Sequence, residues 1–195
     1  ALSIDSVVVS NTIDCYGGTD GGAQTYIHGG MPNYYFAWDN GELTSNAVNL
    51  TSGYHVVTLT DDWNCVVKDS VFISENPEIE TTILVDNEVS CYGLSDGIVS
   101  ASSVGGSPNY NYFWSNGSQN IGTTTTNSGL IYGSYYLTTQ DIYGCEVFDS
   151  ILVGQPDPLY VEATEIDSIS CYGYGDGLAY AYGFGGTEPY TFYWD

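Results

Sequence analysis

Cationic side chains are almost absent from this chain. Its 195 residues include 24 carboxylates but only one cation, Lys68, and the formal net charge is −23. Proteins that bind nucleic acids need Lys and Arg to neutralise phosphates, and proteins that adsorb to anionic membranes need them for the same reason. Phosphoryl-transfer enzymes also use a cationic clamp. The composition therefore argues against all three classes.

Long apolar runs are missing as well, since none approaches the roughly 18 residues that cross a bilayer, so we expect no membrane insertion. Charged residues form only 13% of the chain and hydrophobic residues form 43%, which predicts packed cores rather than a disordered polyacid. Residues that favour strands outnumber helix formers, and 24 glycines supply turns, which predicts an all-β protein. The chain lacks an initiator Met and a signal-like start, and it stops inside the strand-like segment Tyr190–Trp194, so we expect a piece of a longer array.

The chain is an internal repeat. The motif Cys-Tyr-Gly-x-x-Asp-Gly begins at Cys15, Cys91 and Cys171, which lie 76 and 80 residues apart. A second cysteine, Cys65 or Cys145, follows in the first two copies. A fixed period of this kind indicates tandem domains, separated here by proline-containing boundaries. The predicted copies are residues 1–76, residues 77–156 and the truncated residues 157–195.

Each copy contains an alternating aromatic segment. In the first copy Tyr34, Phe36 and Trp38 share one face of a strand, and Asn40-Gly41 then predicts a hairpin. We interpret these rings as the core of a sandwich; the alternative is an exposed platform that stacks on sugars. Six or seven short strands with a Trp on one of them predict tandem immunoglobulin-like β-sandwich domains in an elongated array.

Five motifs occur in a constant order: Cys-Tyr-Gly-x-x-Asp-Gly, Gly-Gly-x-Pro-x-Tyr, Trp-x-Asn-Gly, Leu-x-x-Gly-x-Tyr and Asp-x-x-Gly-Cys. In this order they resemble the SprB repeat over essentially the whole chain. Three residues depart from the family pattern at turns and packing positions: His55 replaces a Tyr, Asn64 replaces a Gly, and Pro189 lies one place late.

The resemblance implies a repeat of the giant cell-surface adhesins of gliding bacteria, which the type IX secretion system exports. It therefore implies an extracellular location on the outer surface of a Gram-negative cell. The implied partners are a polysaccharide or solid surface, neighbouring repeats of the same chain, and the motility and secretion machinery through other parts of the parent protein. The family has no catalytic residues to carry over.

The five cysteines fit a regular disulfide array in an oxidising compartment. We predict bonds within a repeat, Cys15–Cys65 and Cys91–Cys145, with the partner of Cys171 outside these 195 residues. Closing a loop of about 51 residues stabilises a fold by roughly 4 kcal/mol. This pairing requires one strand between Asn40-Gly41 and Gly53; two strands there would favour bonds between neighbouring repeats, such as Cys15–Cys145.

We expect no enzyme and no cofactor. The two histidines, His28 and His55, do not recur in the other copies, so they do not indicate a catalytic site. Calcium is the only metal hypothesis, because five aspartates recur in loops; the alternative is that they cap backbone amides. The calcium candidates are Asp20, Asp96, Asp176, Asp61 and Asp141.

Two further hypotheses concern the surface. An Asp-Ser-apolar motif recurs and resembles an acceptor for bacterial O-glycosylation, although strand alternation alone also produces it. Its candidate serines are Ser70, Ser150, Ser6 and Ser168. Aromatic residues on turns and on the outer side of the third strand are candidates for ligand contact, with packing against a disulfide as the alternative for Trp63. These aromatic candidates are Trp63, Tyr143, Tyr35 and Phe113.

The sequence thus predicts a non-enzymatic repeat segment of a long adhesin filament that serves surface adhesion and gliding motility. Weak contacts on many copies would together give strong attachment, because after the first contact the linked copies are held at a high effective concentration near the surface. The alternative is a carbohydrate-binding or spacer module of a secreted multidomain protein.

Overall fold

The structure is a computed structural model that describes all 195 residues, and its regular elements are strands without any helix. It accordingly contains no helix that is long and apolar enough to span a bilayer. The all-β prediction is confirmed. The strands are β1 Ser3–Asn11, β2 Gly21–His28, β3 Tyr35–Trp38, β4 Asn46–Leu50, β5 Gly53–Thr60, β6 Val66–Ile73, β7 Glu80–Asn87, β8 Gly97–Val104, β9 Asn111–Ser115, β10 Asn120–Gly122, β11 Thr126–Leu130, β12 Gly133–Gln140, β13 Glu146–Val153, β14 Tyr160–Asp167 and β15 Leu178–Phe184.

The first copy forms two three-stranded sheets, in the orders β1-β2-β4 and β3-β5-β6. Strands β1, β2 and β4 therefore form one sheet and β3, β5 and β6 form the other, as strands A, B, E and C, F, G do in immunoglobulin domains. The second copy repeats this arrangement with the sheets β11-β8-β7 and β10-β9-β12-β13, the short β10 being one extra edge strand. The predicted immunoglobulin-like sandwich is confirmed.

The core of the first copy lies between its two sheets. Trp38, Val57 and Ile73 come from the sheet β3-β5-β6, and Ala23 and Leu50 face them from the other sheet; all five are buried. Phe36 is partly buried against this cluster, and Trp114 is fully buried at the equivalent position of the second copy. The alternating aromatic segment therefore packs into the core in these two copies, as predicted.

The third copy departs from the prediction at its aromatic segment. Its strands β14 and β15 pair with each other, but Tyr190–Trp194 is not a strand and Trp194 is 61% exposed. In the first copy the corresponding strand β3 pairs with β5. These 195 residues contain no counterpart of β5 in the third copy, so the segment has no partner strand.

The chain divides into two compact units whose limits differ from the repeat limits. The first unit contains Ala1–Glu80, Ser103–Asn111 and Thr139–Val147, and the second contains Thr81–Ser102, Tyr112–Thr138 and Phe148–Asp195. Two loops of the second copy thus belong to the first unit. The division into domains 1–76, 77–156 and 157–195 stays a prediction.

Candidate functional site

One face of the first copy presents apolar side chains to solvent. Pairing in the sheet β3-β5-β6 places Tyr54 opposite Phe72, Val56 opposite Ser70, and Thr60 between Val66 and Tyr35. The rings of Tyr54 and Phe72 touch at a centroid distance of 5.1 Å. We call this surface the outer face, and define it by its exposed members Tyr35, Tyr54, Val56, Val66, Lys68, Ser70 and Phe72.

The outer face brings together two predictions that arose separately. Tyr35, a predicted contact residue, is 58% exposed, and Ser70, a predicted acceptor of glycosylation, lies on the same face. Sequence reasoning missed Tyr54 and Phe72. The sequence pattern could have identified Tyr54, because side chains alternate along a strand and the inward positions His55, Val57 and Leu59 fix which positions of β5 point outward.

The second copy also exposes apolar residues on the strands of the corresponding sheet. Tyr136 and Phe148 are 49% and 71% exposed, whereas the predicted contact residue Phe113 is 37% exposed. Ser150 is exposed on β13, the strand that also carries Phe148. Of the other predicted acceptors, Ser6 is partly buried on β1 and Ser168 is exposed in the third copy. Glycosylation stays a prediction at all four serines.

The turns before the second cysteines are held by buried aspartates. Asp61 accepts hydrogen bonds from the backbone N–H groups of Trp63 at 3.0 Å, Cys65 at 2.8 Å and Met31 at 3.0 Å. The bond from Met31 contributes most, with those from Cys65 and Trp63, to a pKa of the Asp61 carboxyl below its ordinary value of 3.8. The side chain of Asp61 therefore ties this turn to the Gly29-Gly30 turn.

Asp141 does the same in the second copy. It accepts from Tyr143 and Cys145 at 2.9 and 3.0 Å, and from Ser107 at 2.9 Å. Trp63 and Tyr143, the aromatic residues of these turns, are 72% and 56% exposed. Trp63 does not pack on a disulfide, because Cys65 is unbonded. Ligand contact by either ring stays a prediction.

The aspartates of the Cys-Tyr-Gly-x-x-Asp-Gly loops accept hydrogen bonds from residues that lie six positions earlier in the chain. Asp96 accepts from the hydroxyl and the N–H of Ser90 at 2.5 and 3.0 Å, and these bonds lower the pKa of the Asp96 carboxyl. Asp176 bonds Ser170 in the same way with the same effect on its pKa. Asp20 accepts from the N–H of Asp14 at 3.3 Å.

All five aspartates thus accept hydrogen bonds from backbone N–H groups, and two of them also from a serine hydroxyl. These bonds agree with the alternative role, in which the aspartates cap backbone amides and do not bind calcium. No group of three His, Cys, Asp or Glu side chains that could hold a metal ion occurs in the structure. Calcium binding stays an untested prediction, and the five aspartates do not form a cluster of metal ligands.

The disulfide pairing differs from the first prediction. Cys15 is bonded to Cys145, with a Cα–Cα distance of 5.5 Å, whereas Cys65, Cys91 and Cys171 are exposed and unbonded. The predicted bonds Cys15–Cys65 and Cys91–Cys145 are therefore wrong. The alternative derived from strand counting, Cys15–Cys145, is the bond that the structure contains.

The position of β6 explains the correction. Ile13 pairs with Glu75, just past the end of β6, so Cys15 lies beside that end. Cys65 immediately precedes the first residue of β6. Eight residues of strand extend about 26 Å, far beyond the roughly 7 Å that a disulfide spans between Cα atoms. Within one copy the two cysteines lie at opposite ends of the domain.

The two histidines have different surroundings. On the paired strands β1 and β2, Asp5 contacts the Nδ1 atom of His28, and the Ser3 hydroxyl oxygen lies 3.1 Å from Nδ1 and 3.3 Å from Nε2. The side chains of His28 and Asp5 are exposed to solvent. The absence of enzymatic activity stays a prediction.

His55 is a structural residue. Its Nε2 atom lies 2.9 Å from the carbonyl oxygen of Thr51, four residues upstream. In the second copy the Tyr135 hydroxyl donates to the carbonyl of Ile131 at the same offset and at 2.9 Å. This resembles the tyrosine corner of immunoglobulin folds, in which a Tyr of strand F bonds the backbone a few residues upstream. His55 therefore makes the same bond in the first copy that Tyr135 makes in the second.

Comparison with known proteins supports the family resemblance. Residues 85–119 match the SprB repeat. The resemblance predicted from the motifs is thereby confirmed in the second copy, where this segment contains the end of β7 and all of β8 and β9. SprB repeats belong to cell-surface proteins, and a disulfide indicates an extracellular setting. An immunoglobulin-like fold suits a repeat or spacer module. No curated protein matches the chain.

Solved structures with some similarity are immunoglobulin-type proteins or phage capsid domains. The three N-terminal domains of the bacteriophage RB49 Highly Immunogenic Outer Capsid protein (Hoc) align with a TM-score of 0.45 at 15% identity, over 94% of this chain and 70% of that one. The amphioxus IgVJ-C2 molecule aligns with a TM-score of 0.34 at 11% identity, over 70% of this chain and 97% of that one. Murine CEACAM1b aligns with a TM-score of 0.28 at 12% identity, over 77% of this chain and 100% of that one. These low scores support no statement about function.

Proposed function

We propose that the chain is a non-enzymatic repeat segment of a long cell-surface adhesin filament that serves surface adhesion and gliding motility. The observation that carries the proposal is the bond Cys15–Cys145, which joins the first loop of one copy to the second turn of the next. A covalent link between consecutive copies suits a protein that transmits force. The SprB match supports the cell-surface setting.

The outer face is the proposed contact surface. Exposed Tyr and Phe rings stack on sugar rings and cover apolar surfaces, and Tyr54 and Phe72 form an exposed pair of this kind in the first copy. Single contacts of this kind are weak. Repetition along one chain converts weak contacts into firm attachment, because each further contact is intramolecular.

Retention on surfaces tests this proposal. We would immobilise bacterial and plant polysaccharides and bare glass, and measure the fraction of the 195-residue chain that stays bound under flow. We expect retention on at least one surface, and a loss of several-fold in the double variant Tyr54→Ser, Phe72→Ser. The matched control is Leu43→Ser, because Leu43 is 71% exposed but lies on the turn after β3.

The possible results separate the alternatives. If the wild-type chain is retained on no surface, the adhesive role is wrong and a spacer role replaces it. If the double variant and Leu43→Ser bind as the wild type does, adhesion stands but the outer face is not the contact surface.

A further inference from the structure

Two Asn-Gly pairs lie in turns of the chain, and their side-chain amides are held differently. Asn40-Gly41 comes after β3 in the first copy, and Asn116-Gly117 comes after β9 in the second. All four residues are exposed to solvent. An asparagine before glycine is chemically labile, because glycine has no side chain to hinder attack by its backbone nitrogen on the asparagine amide. The bonds around each amide therefore decide which pair reacts.

The amide of Asn40 is bound at both ends. Its Nδ2 group donates to the carbonyl of Val48 at 3.0 Å, and its Oδ1 atom accepts from the N–H of Glu42 at 3.1 Å. The N–H of Gly41 donates to the Trp38 carbonyl at 3.0 Å. In the reaction Nδ2 has to leave as ammonia and the nitrogen of Gly41 has to lose its proton. These hydrogen bonds therefore oppose the reaction at Asn40.

The amide of Asn116 is bound only through its oxygen. Its Oδ1 atom accepts from the N–H groups of Ser118 at 3.1 Å and Gln119 at 3.0 Å, whereas its Nδ2 group has no protein acceptor. Attack on the amide carbon places negative charge on Oδ1, and two N–H donors at that atom stabilise the charge. The N–H of Gly117 donates to the Ser115 hydroxyl at 3.0 Å, and a hydroxyl of this kind can rotate away. The leaving group of Asn116 is therefore free, and its carbonyl is polarised.

We infer that Asn116 is a site of spontaneous deamidation in the folded protein, whereas the fold protects Asn40. The two pairs share the dipeptide and the exposure to solvent, and they differ in the hydrogen bonds of the amide that has to leave. This inference concerns a chemical modification and does not depend on what the repeats bind.

The reaction needs only water. The backbone nitrogen of Gly117 attacks the Cγ atom of Asn116, so that a new C–N bond forms and the Cγ–Nδ2 bond breaks. The proton that leaves the attacking nitrogen passes through solvent to the departing NH2 group, which is released as ammonia. Water then opens the resulting succinimide ring at one of its two carbonyls, which yields aspartate or isoaspartate. One water is consumed and one ammonia is released, with no oxidation or reduction.

The product carries a carboxylate where the protein has a neutral amide. This charge arises close to an exposed aromatic ring, because a Cβ atom added to Gly117 would lie 3.4 Å from the Cε2 atom of Tyr136. Isoaspartate also places an additional carbon atom in the backbone of the turn, which a bond from the N–H of Asn116 to the Gln119 carbonyl closes at 3.3 Å. The turn after β9 therefore changes in charge and in backbone length as the protein ages.

The test compares the two pairs within one chain. The 195-residue protein is incubated in mildly alkaline buffer, and peptide mapping by mass spectrometry follows the formation of aspartate and isoaspartate at both positions. We expect Asn116 to react several-fold faster than Asn40 in the folded chain. In concentrated urea the two rates should become similar, because the hydrogen bonds that distinguish the amides are then absent.

The incubation in urea is the control for local sequence. Equal rates at the two asparagines in the folded chain overturn the inference, and so does a faster reaction at Asn40. A ratio that persists unchanged in urea also overturns it, because the difference then comes from neighbouring residues of the sequence and not from the fold.

Discussion

At the scale of single residues, the aspartates that recur in the turns serve the backbone. Their spacing allowed a metal ligand or a cap, and only the positions of the donors distinguish these roles. Asp61 accepts a hydrogen bond from the N–H of Met31, which lies 30 residues earlier in the chain, and no local sequence pattern indicates this contact. The sequence therefore predicted which carboxylates matter but not what they bind.

The first prediction concerns Asp141. Replacement by Asn puts an NH2 group against one of the N–H donors of Ser107, Tyr143 or Cys145 and leaves that donor unsatisfied. We expect Asp141→Asn to lower the free energy of unfolding by about 1–3 kcal/mol, measured by urea denaturation. Asp62→Asn, at an exposed carboxylate, should leave the midpoint unchanged. Equal midpoints for both variants would contradict the scaffolding role.

The second prediction concerns acid. The carboxyls of Asp61, Asp96 and Asp176 have a folded-state pKa below the ordinary 3.8. Their contribution to stability is therefore present above about pH 4 and is lost as the pH falls through the lowered pKa. We expect the urea midpoint to fall steeply below pH 4, and less steeply in Asp96→Asn. A profile of the same slope in that variant would show that Asp96 does not contribute.

At the scale of elements, the strands were predictable and one connection was not. The segments after the second cysteines, Val66–Ile73 and Glu146–Val153, have strand-favouring residues next to a turn, and they form β6 and β13. At Asn40-Gly41 a tight turn forms, with a bond from the N–H of Gly41 to the Trp38 carbonyl at 3.0 Å, but β3 pairs with β5 and β4 with β2, so the predicted hairpin between successive strands does not form there. Local residue chemistry fixed these elements.

The missed connection is the segment 39–45. Strand pairing and the parallel bridge of Ile13 with Glu75 make β3 and β4 run in the same direction, so the chain must turn back between them. In the second copy this return includes β10, but in the first it is irregular and bonds through Ser45 to Thr25. Residues 39–45 lack a strand-like pattern, so the sequence predicts only one strand between Asn40-Gly41 and Gly53. The extra reversal of the chain in this segment is the reason why the predicted disulfide pairing is wrong.

The third prediction concerns the corner on β12. Tyr135→Phe removes the bond to the Ile131 carbonyl inside the fold, and we expect a loss of about 1 kcal/mol in the free energy of unfolding. Tyr136→Phe is the matched control, because the next residue of the same strand points to solvent. Urea denaturation of both variants measures the difference. If both variants lose the same amount, the corner bond does not stabilise the fold.

At the scale of the whole molecule, the disulfide changes the mechanical response of the chain to a pulling force. Tension that enters at residue 15 passes directly to residue 145 and bypasses the chain between them, a sequence separation of 130. The bond also restricts the unfolded chain, and closing a loop of this length stabilises the fold by about 5 kcal/mol in polymer theory. The pairing that was predicted first would have protected each copy separately.

The fourth prediction is a length. In single-molecule stretching, reduction of Cys15–Cys145 should release 130 more residues, which adds about 430–470 Å of contour length. Cys145→Ser should show the added length without reductant. Cys65→Ser should not, because Cys65 is unbonded. Two separate increments of a single copy each would instead indicate bonds within repeats.

The same pairing sets an order of events during biosynthesis. Cys15 emerges from the ribosome 130 residues before its partner, so its thiol has to stay reduced while the rest of one copy and most of the next are made. At about 5–20 residues per second this delay is roughly 7–26 s. Cys65 emerges in the meantime and, with Cys15 at the far end of the domain, folding of the first copy keeps the two apart. The disulfide of the first copy is therefore completed only after the second copy has been made.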